Sequence, residues 1–297
     1  MPKEIVVISG KGGTGKTSVV AAFATLAVNK VMTDCDVDAA DLHLILQPKI
    51  LRREPFTGGQ KAVVNSELCA ACGKCEELCR FDAVRMGGPP NEGVKKTYVI
   101  DPISCEGCGV CVRFCPTEAI ALEESTDGEW FVSETRAGPM VHARLAPGQG
   151  SSGILVSIIR KTAQEIAEEQ GHALIISDGS PGIGCPVIAS LTGAALALGV
   201  TEPTLSGMHD LQRVAGVARH FNIPMGIVIN KCDLNEDVVR QIERWAEEFG
   251  AQVFGRLPYD PIVTRAQIAG RSIIEYGDGE MARQLVSIWG RVRKALD

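Results

Sequence analysis

The sequence predicts an α/β fold: a mostly parallel sheet with helices on both faces, interrupted by a small α+β insert. Three observations predict it. Residues 4–9 form an apolar, β-branched run that feeds a glycine-rich loop and then a helical run over 16–28, with Val20, Phe23, Ala24 and Ala27 on one face. Residues 31–36 follow as a second strand, so the chain opens on a βαβ unit, the building block of a parallel sheet. From about residue 54 to 135 the alternation gives way to a Gly- and Cys-rich stretch with short strands, and beyond it the alternation resumes.

The later elements follow in order. A helix is expected over 154–170 and a buried strand over 173–178. Strands at 225–230 and 253–257 then alternate with helices at about 206–220, 236–249 and 279–296. The apolar stretch 189–200 contains Thr192 and Gly193 and is too short to cross a bilayer. The terminal helix carries Met281, Leu285, Ile288, Trp289, Val292 and Leu296 on one face. That stripe fits a helix packed on the sheet better than a membrane-surface helix. The expected domains are 1–53 and 136–297 for the two parts of a nucleotide-binding domain, and 54–135 for the insert.

At 297 residues the chain can bury the core of one large domain plus a small insert. A net charge of −6 argues against a general affinity for nucleic acid, and 5% aromatic residues are too few for a base-stacking surface. Met1-Pro2-Lys3-Glu4 runs straight into the first strand and leaves no room for a signal peptide, so a cytoplasmic protein without membrane insertion is expected. In a reducing compartment, 11 cysteines point to metal rather than to disulfides.

Eight of those cysteines fall into two runs of one spacing, C-x2-C-x2-C-x3-C: Cys69, Cys72, Cys75, Cys79 and Cys105, Cys108, Cys111, Cys115, with Pro116 after the second. The runs belong to an internal repeat with a 36-residue offset, and a turn-rich linker over 87–93 joins the halves. The spacing is the bacterial two-cluster ferredoxin signature, in which the fourth cysteine of each run serves the other run's cluster. Two [4Fe–4S] clusters are therefore expected, one on Cys69, Cys72, Cys75 and Cys115, the other on Cys105, Cys108, Cys111 and Cys79. Zinc also uses C-x2-C pairs, but two triplets plus two singles suit four-coordinate ions poorly. Arg80 follows Cys79 where a ferredoxin has Pro, and is expected to raise the nearby potential or alter exposure. The five histidines show no ligand spacing.

Gly10-Lys11-Gly12-Gly13-Thr14-Gly15-Lys16-Thr17, followed by Ser18, is a phosphate-binding loop between strand and helix. Its amides and the helix N-terminus converge on phosphate, Lys16 is placed to reach the β- and γ-phosphates, and the Thr17 hydroxyl to hold Mg2+. With Lys11 the loop resembles the deviant Walker A motif of the MinD/ParA/Mrp and nitrogenase iron-protein families. The resemblance extends to Asp34-Cys35-Asp36, to residues 178–184, to Thr201-Glu202-Pro203-Thr204 and to Asn230-Lys231-Cys232-Asp233, and so spans most of the chain outside the insert. More closely, the chain resembles MinD-type P-loop ATPases that carry an inserted ferredoxin domain.

The resemblance implies roles. Lys11 would cross a dimer interface to the partner's phosphates, Asp178 would hold Mg2+ through water, and Asp36 would orient the attacking water, with Asp38 and Asp41 ranked below it. Asn230 would read adenine, and Pro258-Tyr259-Asp260 would close over the base. Cys185 follows Asp178 by seven residues. In the nitrogenase iron protein such a cysteine binds a cluster shared across the dimer, together with a second cysteine for which the stretch 147–153 here offers serine. A buried or interface thiol is the simpler reading of Cys185, with transient cluster or metal capture by a pair of them as the alternative. The expected function is a dimeric Mg-ATPase, homodimeric or paired with a paralogous ATPase, that binds ATP and ADP and couples nucleotide state to electron transfer toward a redox partner. The alternatives are iron–sulfur or metallocofactor assembly with a client protein and, behind that, MinD/ParA-like positioning.

Overall fold

A computed structural model describes residues 1–146 and 152–297. The elements run β1 (Lys3–Ser9), α1 (Lys16–Leu26), β2 (Lys30–Asp34), α2 (Leu42–Leu46), β3 (Lys49–Val64), α3 (Lys74–Leu78), β4 (Val84–Gly88), β5 (Thr97–Ile100), α4 (Val110–Arg113), β6 (Ile120–Thr135) and β7 (Gly138–Leu145). Then come α5 (Ser152–Glu169), β8 (Leu174–Pro181), α6 (Cys185–Leu191), β9 (Leu196–Thr201), α7 (Leu205–His220), β10 (Met225–Asn230), α8 (Glu236–Phe249), β11 (Gln252–Leu257), α9 (Ile262–Ile268), α10 (Ile273–Tyr276) and α11 (Glu280–Leu296).

The chain divides into two compact units. The first comprises Met1–Glu54, Trp130–Arg144 and Ser152–Asp297; the second is built on Pro55–Glu129. The insert was expected to end at 135, whereas residues 130–135 belong to the first unit. Nothing in composition marks the change, because β6 runs through it as one strand.

The large sheet has the order β11-β10-β9-β1-β8-β2-β7-β6-β3, and β3 and β6 carry the chain between the units. Every pairing from β11 across to β7 is parallel. The strands read as continuous apolar runs because both faces are covered: Ile5, Val6, Val7 and Ile8 are all fully buried. One face packs on α1, α9, α10 and α11, the other on α6, α7 and α8. α1 is buried on nearly every side, so its small residues let it lie close to the sheet. α8 starts at Asn235, whose side chain accepts from the Asp237 and Val238 amides, and stops at left-handed Gly250. In α11, Met281, Leu285, Ile288, Trp289 and Val292 are buried in the core, which is the packing reading of its stripe. The stretch 189–200 is the end of α6, a turn at Gly193 and buried strand β9, and among the described residues no helix is long and apolar enough to cross a membrane.

The second unit carries the repeat in its backbone. Left-handed residues pair at the 36-residue offset: Ala71 with Gly107, Gly73 with Gly109, Asp82 with Glu118. Gly73 and Gly109 stand at the N-caps of α3 and α4, and β4 pairs antiparallel with β5.

Candidate functional site: a phosphate loop and two cysteine pockets

Parallel strands place their carboxyl ends along one edge, and the loops there are where ligands bind in such sheets. The glycine-rich loop after β1, Asp36 after β2, Asn230 at the end of β10 and Lys231 after it, and Pro258, Tyr259 and Asp260 after β11 line one cavity of about 590 Å³. Gly12, Gly13, Thr14, Gly15, Lys16, Thr17 and Ser18 form its floor. Gly15 has φ of 90°, and a Cβ there would lie 2.3 Å from Asn230 Nδ2, so only glycine fits. Asn230 Nδ2 donates to the Thr14 carbonyl at 2.8 Å, which makes Asn230 a brace of the loop as well as part of the cavity wall. Gly10 does not line the cavity; a Cβ there would lie 2.3 Å from Asp210 Cβ, so its role is close packing under the loop.

Buried charge sits at the loop's end. Lys16 Nζ lies 2.5 Å from Asp178 Oδ1 and 3.4 Å from Asp36 Oδ2. Burial disfavours the Lys16 ammonium, but the charges of Asp178 and Asp36 outweigh it and raise its pKa. Asp34 pairs with Asp178 in register, and its oxygens accept the Asp36 and Leu42 amides. Burial first, then the Asp178 carboxylate, pushes the Asp34 carboxyl well above its usual range. Asp36 is raised by burial, with Lys16 opposing. Asp178 Oδ2 and Thr14 Oγ1 are buried without a hydrogen-bond partner. An orphaned carboxylate oxygen beside a phosphate loop is what a hydrated Mg2+ would satisfy, so the donor set fits that ion.

Lys11 lies outside the cavity wall. Its ammonium is 2.5 Å from Glu202 Oε1, whose other oxygen is 3.1 Å from Lys231 Nζ. Lys231 in turn donates to the Gly13 carbonyl at 3.2 Å. The two lysines hold the Glu202 carboxyl below its usual range despite partial burial.

Several wall residues had no signal in the sequence: Leu44 and Ile45 on α2, and Val263, Thr264 and Gln267 on α9. Arg136, in the turn between β6 and β7, ties these walls together. Its guanidinium donates to the Ile45 carbonyl at 2.7 Å, the Gly270 carbonyl at 3.0 Å and the Glu275 carboxylate at 2.5 and 2.9 Å. His43 of α2 stacks on buried His142, whose pKa burial and His43 lower to about 4.

In the second unit the eight cysteines line two small apolar pockets. One is bordered by Cys69, Cys72, Cys75 and Cys115; the other by Cys79, Cys105, Cys108 and Cys111. Each mixes the two sequence runs. Among the described residues no group of three or more His, Cys, Asp or Glu side chains is placed to hold a single metal ion. The all-thiol donor set and apolar lining are of the kind a [4Fe–4S] cluster takes. Backbone amides also point at sulfur: Gly107 to Cys105 at 3.5 Å and Ala119 to Cys115 at 3.3 Å. Arg80 is exposed and lines neither pocket.

The other cysteines stand apart. Cys185 is exposed at the start of α6, and a Cβ at Gly153 would come within 3.1 Å of its Cβ. Of the stretch 147–153, residues 147–151 lie outside the described residues. Cys35 is fully buried, and burial pushes its thiol up to about 12, which makes it inert. Cys232 is half-buried and likewise raised by burial.

Residues 5–273 match the family model described as the CobQ/CobB/MinD/ParA nucleotide binding domain. An uncharacterized protein of Methanocaldococcus jannaschii is 30% identical over 297 residues, covering 98% of this chain and 96% of its own length. A second uncharacterized protein of that organism is 24% identical over 287 residues, covering 92% of each. Among solved structures, the septum site-determining protein MinD of Pyrococcus horikoshii, complexed with Mg-ADP, is similar at TM-score 0.57 and 17% identity, covering 99% of this chain and 97% of that one. Apo McdA of Cyanothece gives TM-score 0.58 at 14% identity over the whole of both chains. With the phosphate loop and its acidic partners in place, the chain is a P-loop ATPase and belongs to the CobQ/CobB/MinD/ParA nucleotide-binding family.

Proposed function

We propose that this ATPase works as a dimer whose nucleotide state controls electron transfer through two [4Fe–4S] clusters held by the eight cysteines. The observation that carries the reading is the pair of pockets, each bordered by four cysteines drawn from both runs. When bound, each cluster would supply a one-electron store. The chain's own part is to hold it: Cys69, Cys72, Cys75 and Cys115 for one, Cys79, Cys105, Cys108 and Cys111 for the other.

At the nucleotide site, the amides of Gly12 to Thr17 take the phosphates of ATP or ADP. Thr17 and Asp178 hold Mg2+, and Asp36 orients the attacking water. Asn230 and the Pro258–Asp260 loop take the adenine. Lys16 then exchanges Asp178 and Asp36 for phosphate, and Lys11 exchanges Glu202 for the phosphates of a partner chain, identical or paralogous. Asp36 leads through α2 directly into β3, one of the two strands that carry the chain to the second unit. Movement of Asp36 is therefore passed along covalent backbone toward the cysteines and a redox partner.

Two other readings have specific support. Iron–sulfur cluster assembly for a client protein would draw on Cys185, the exposed thiol beside the nucleotide unit's α5–α6 contact. Positioning is favoured by the names of the structural neighbours, which include cell-division and McdA proteins; at 14–17% identity these share the fold. Binding of the MgATP form to liposomes or DNA would support positioning, and transfer of iron to an apo-protein would support assembly. Electron transfer is tested by reducing anaerobic protein and following its reoxidation by oxidised benzyl viologen. Rates that differ between MgATP, MgADP and no nucleotide are expected; equal rates in all three would remove the coupling.

A further inference from the structure

The 36-residue repeat pairs the two cysteine pockets position by position, and three of their lining positions differ in one direction. Lys74 lines the first pocket where the second has Val110. Ala70 lines the first where the second has Glu106. Thr117, two residues past Cys115, places its hydroxyl 3.7 Å from Cys115 Sγ, and that sulfur also receives the Ala119 amide at 3.3 Å. Its counterpart past Cys79 is Phe81, a hydrocarbon ring that cannot donate. In the second pocket the Gly107 amide reaches Cys105 Sγ at the longer distance of 3.5 Å, and the Val112 amide bonds the Cys111 sulfur. Three groups outside the linings run the other way: Lys61 donates to the Cys105 carbonyl at 2.6 Å, Arg80 follows Cys79 where Pro116 is its counterpart, and Glu76 stands near the first pocket where Val112 is its counterpart. Glu76 does not line the pocket, and its carboxylate accepts the Tyr98 hydroxyl at 3.1 Å.

Reduction adds negative charge, so a neighbouring cation and hydrogen bonds to sulfur favour it, whereas a neighbouring carboxylate opposes it. The three differences between lining residues favour reduction in the first pocket. We propose that the chain tunes its two pockets apart, so that the Cys69–Cys72–Cys75–Cys115 pocket accepts the first electron and the Cys79–Cys105–Cys108–Cys111 pocket the second. The proposal rests on the reading that both pockets hold [4Fe–4S] clusters. Each pocket takes one electron from a one-electron donor, and no covalent bond forms or breaks.

The test is a redox titration of the anaerobically purified full chain with dithionite, followed by EPR, for the parent protein, Thr117→Val and Glu106→Gln. Two resolved midpoints are expected. Thr117→Val moves the higher one down and leaves the lower in place; Glu106→Gln moves the lower one up and leaves the higher in place. These substitutions act on separate pockets, so failure of one variant to fold leaves the other decisive. A single shared midpoint, or Thr117→Val acting on the lower one, overturns the tuning while leaving the cluster reading intact. No iron–sulfur signal in protein that binds MgATP overturns the cluster reading and the tuning with it.

Discussion

Lys16, proposed to take phosphate, lies 2.5 Å from Asp178, proposed to hold Mg2+, so the two buried charges neutralise each other. The pair is buried, with Asp36 and Asp34 beside it. Removing the cation leaves carboxylates facing one another in a low dielectric, a change that costs about 3–5 kcal/mol for a buried pair. Lys16→Met should abolish nucleotide binding and also lower the thermal midpoint at neutral pH. The pH dependence has a definite sign. Asp34 has a folded pKa above its unfolded value, so the native state binds the extra proton between them, and stability rises as pH falls from the folded pKa toward 3.8. Lys16→Met should steepen that rise, so its deficit at pH 7 shrinks on mild acidification. A deficit independent of pH would show that the carboxylates do not feel the loss.

Arg136 should behave as a strut between the walls of the nucleotide cavity. The Glu275 carboxyl is held down to about 2, first by its bond from Arg136. Its contribution is present above the unfolded value near 4.5 and is lost as pH falls from there toward 2. Glu275 is partly solvent-exposed, so Glu275→Gln should cost only about 0.5–1 kcal/mol. Arg136→Ala should cost more, about 1–3 kcal/mol, because it also orphans the Ile45 and Gly270 carbonyls. It should raise the KM for ATP several-fold with a smaller effect on kcat. Steady-state ATPase kinetics beside melting curves from pH 7 to pH 3 separate the two effects.

The repeat makes an asymmetric backbone prediction. Gly107 has φ of 63°, and a Cβ there would lie 2.0 Å from the Gln60 carbonyl oxygen, an atom of backbone that cannot step aside. Gly107→Ala should unfold this corner or lose iron selectively from the pocket of Cys105. Ala71, its counterpart, holds φ of 51° with a side chain already present. Ala71→Gly should therefore stabilise the protein or leave it unchanged, with relief of left-handed strain worth about 1 kcal/mol. Denaturation curves and iron content on both variants give the comparison.

Crossed ligation can be separated from sequential ligation by paired substitutions. With Cys69 and Cys115 on one pocket, Cys69→Ser with Cys115→Ser should remove one cluster and spare the other. Cys105→Ser with Cys115→Ser should damage both, because these residues line different pockets. Sequential ligation gives the opposite pattern. Iron and sulfide content of the two double variants, purified anaerobically, distinguishes them.

What was legible in the sequence was local or periodic. The phosphate loop is contiguous, so its spacing alone places Lys16 and Thr17, and β10 and α8 begin and end where their apolar and capping residues indicate. The repeat was legible because Ala71/Gly107, Gly73/Gly109 and Asp82/Glu118 impose the same turns twice. The stretch 189–200 was not, because apolarity alone does not separate the end of a helix from the strand that follows it. Only the left-handed turn at Gly193 divides them. Arg136 was invisible for a different reason: its partners lie 91 to 139 residues away, a closure that only the folded sheet provides. The same holds for Lys11 and Glu202, 191 positions apart in sequence but joined at 2.5 Å.

The most direct measurement of coupling is EPR of the anaerobically reduced full chain without nucleotide, with MgADP and with a non-hydrolysable MgATP analogue. Coupling between the P-loop and the cysteine unit predicts signals from two [4Fe–4S] clusters, with line shape or potential altered by the MgATP analogue relative to the other two states. Spectra without cluster signals, or cluster signals identical in all three states, would contradict it.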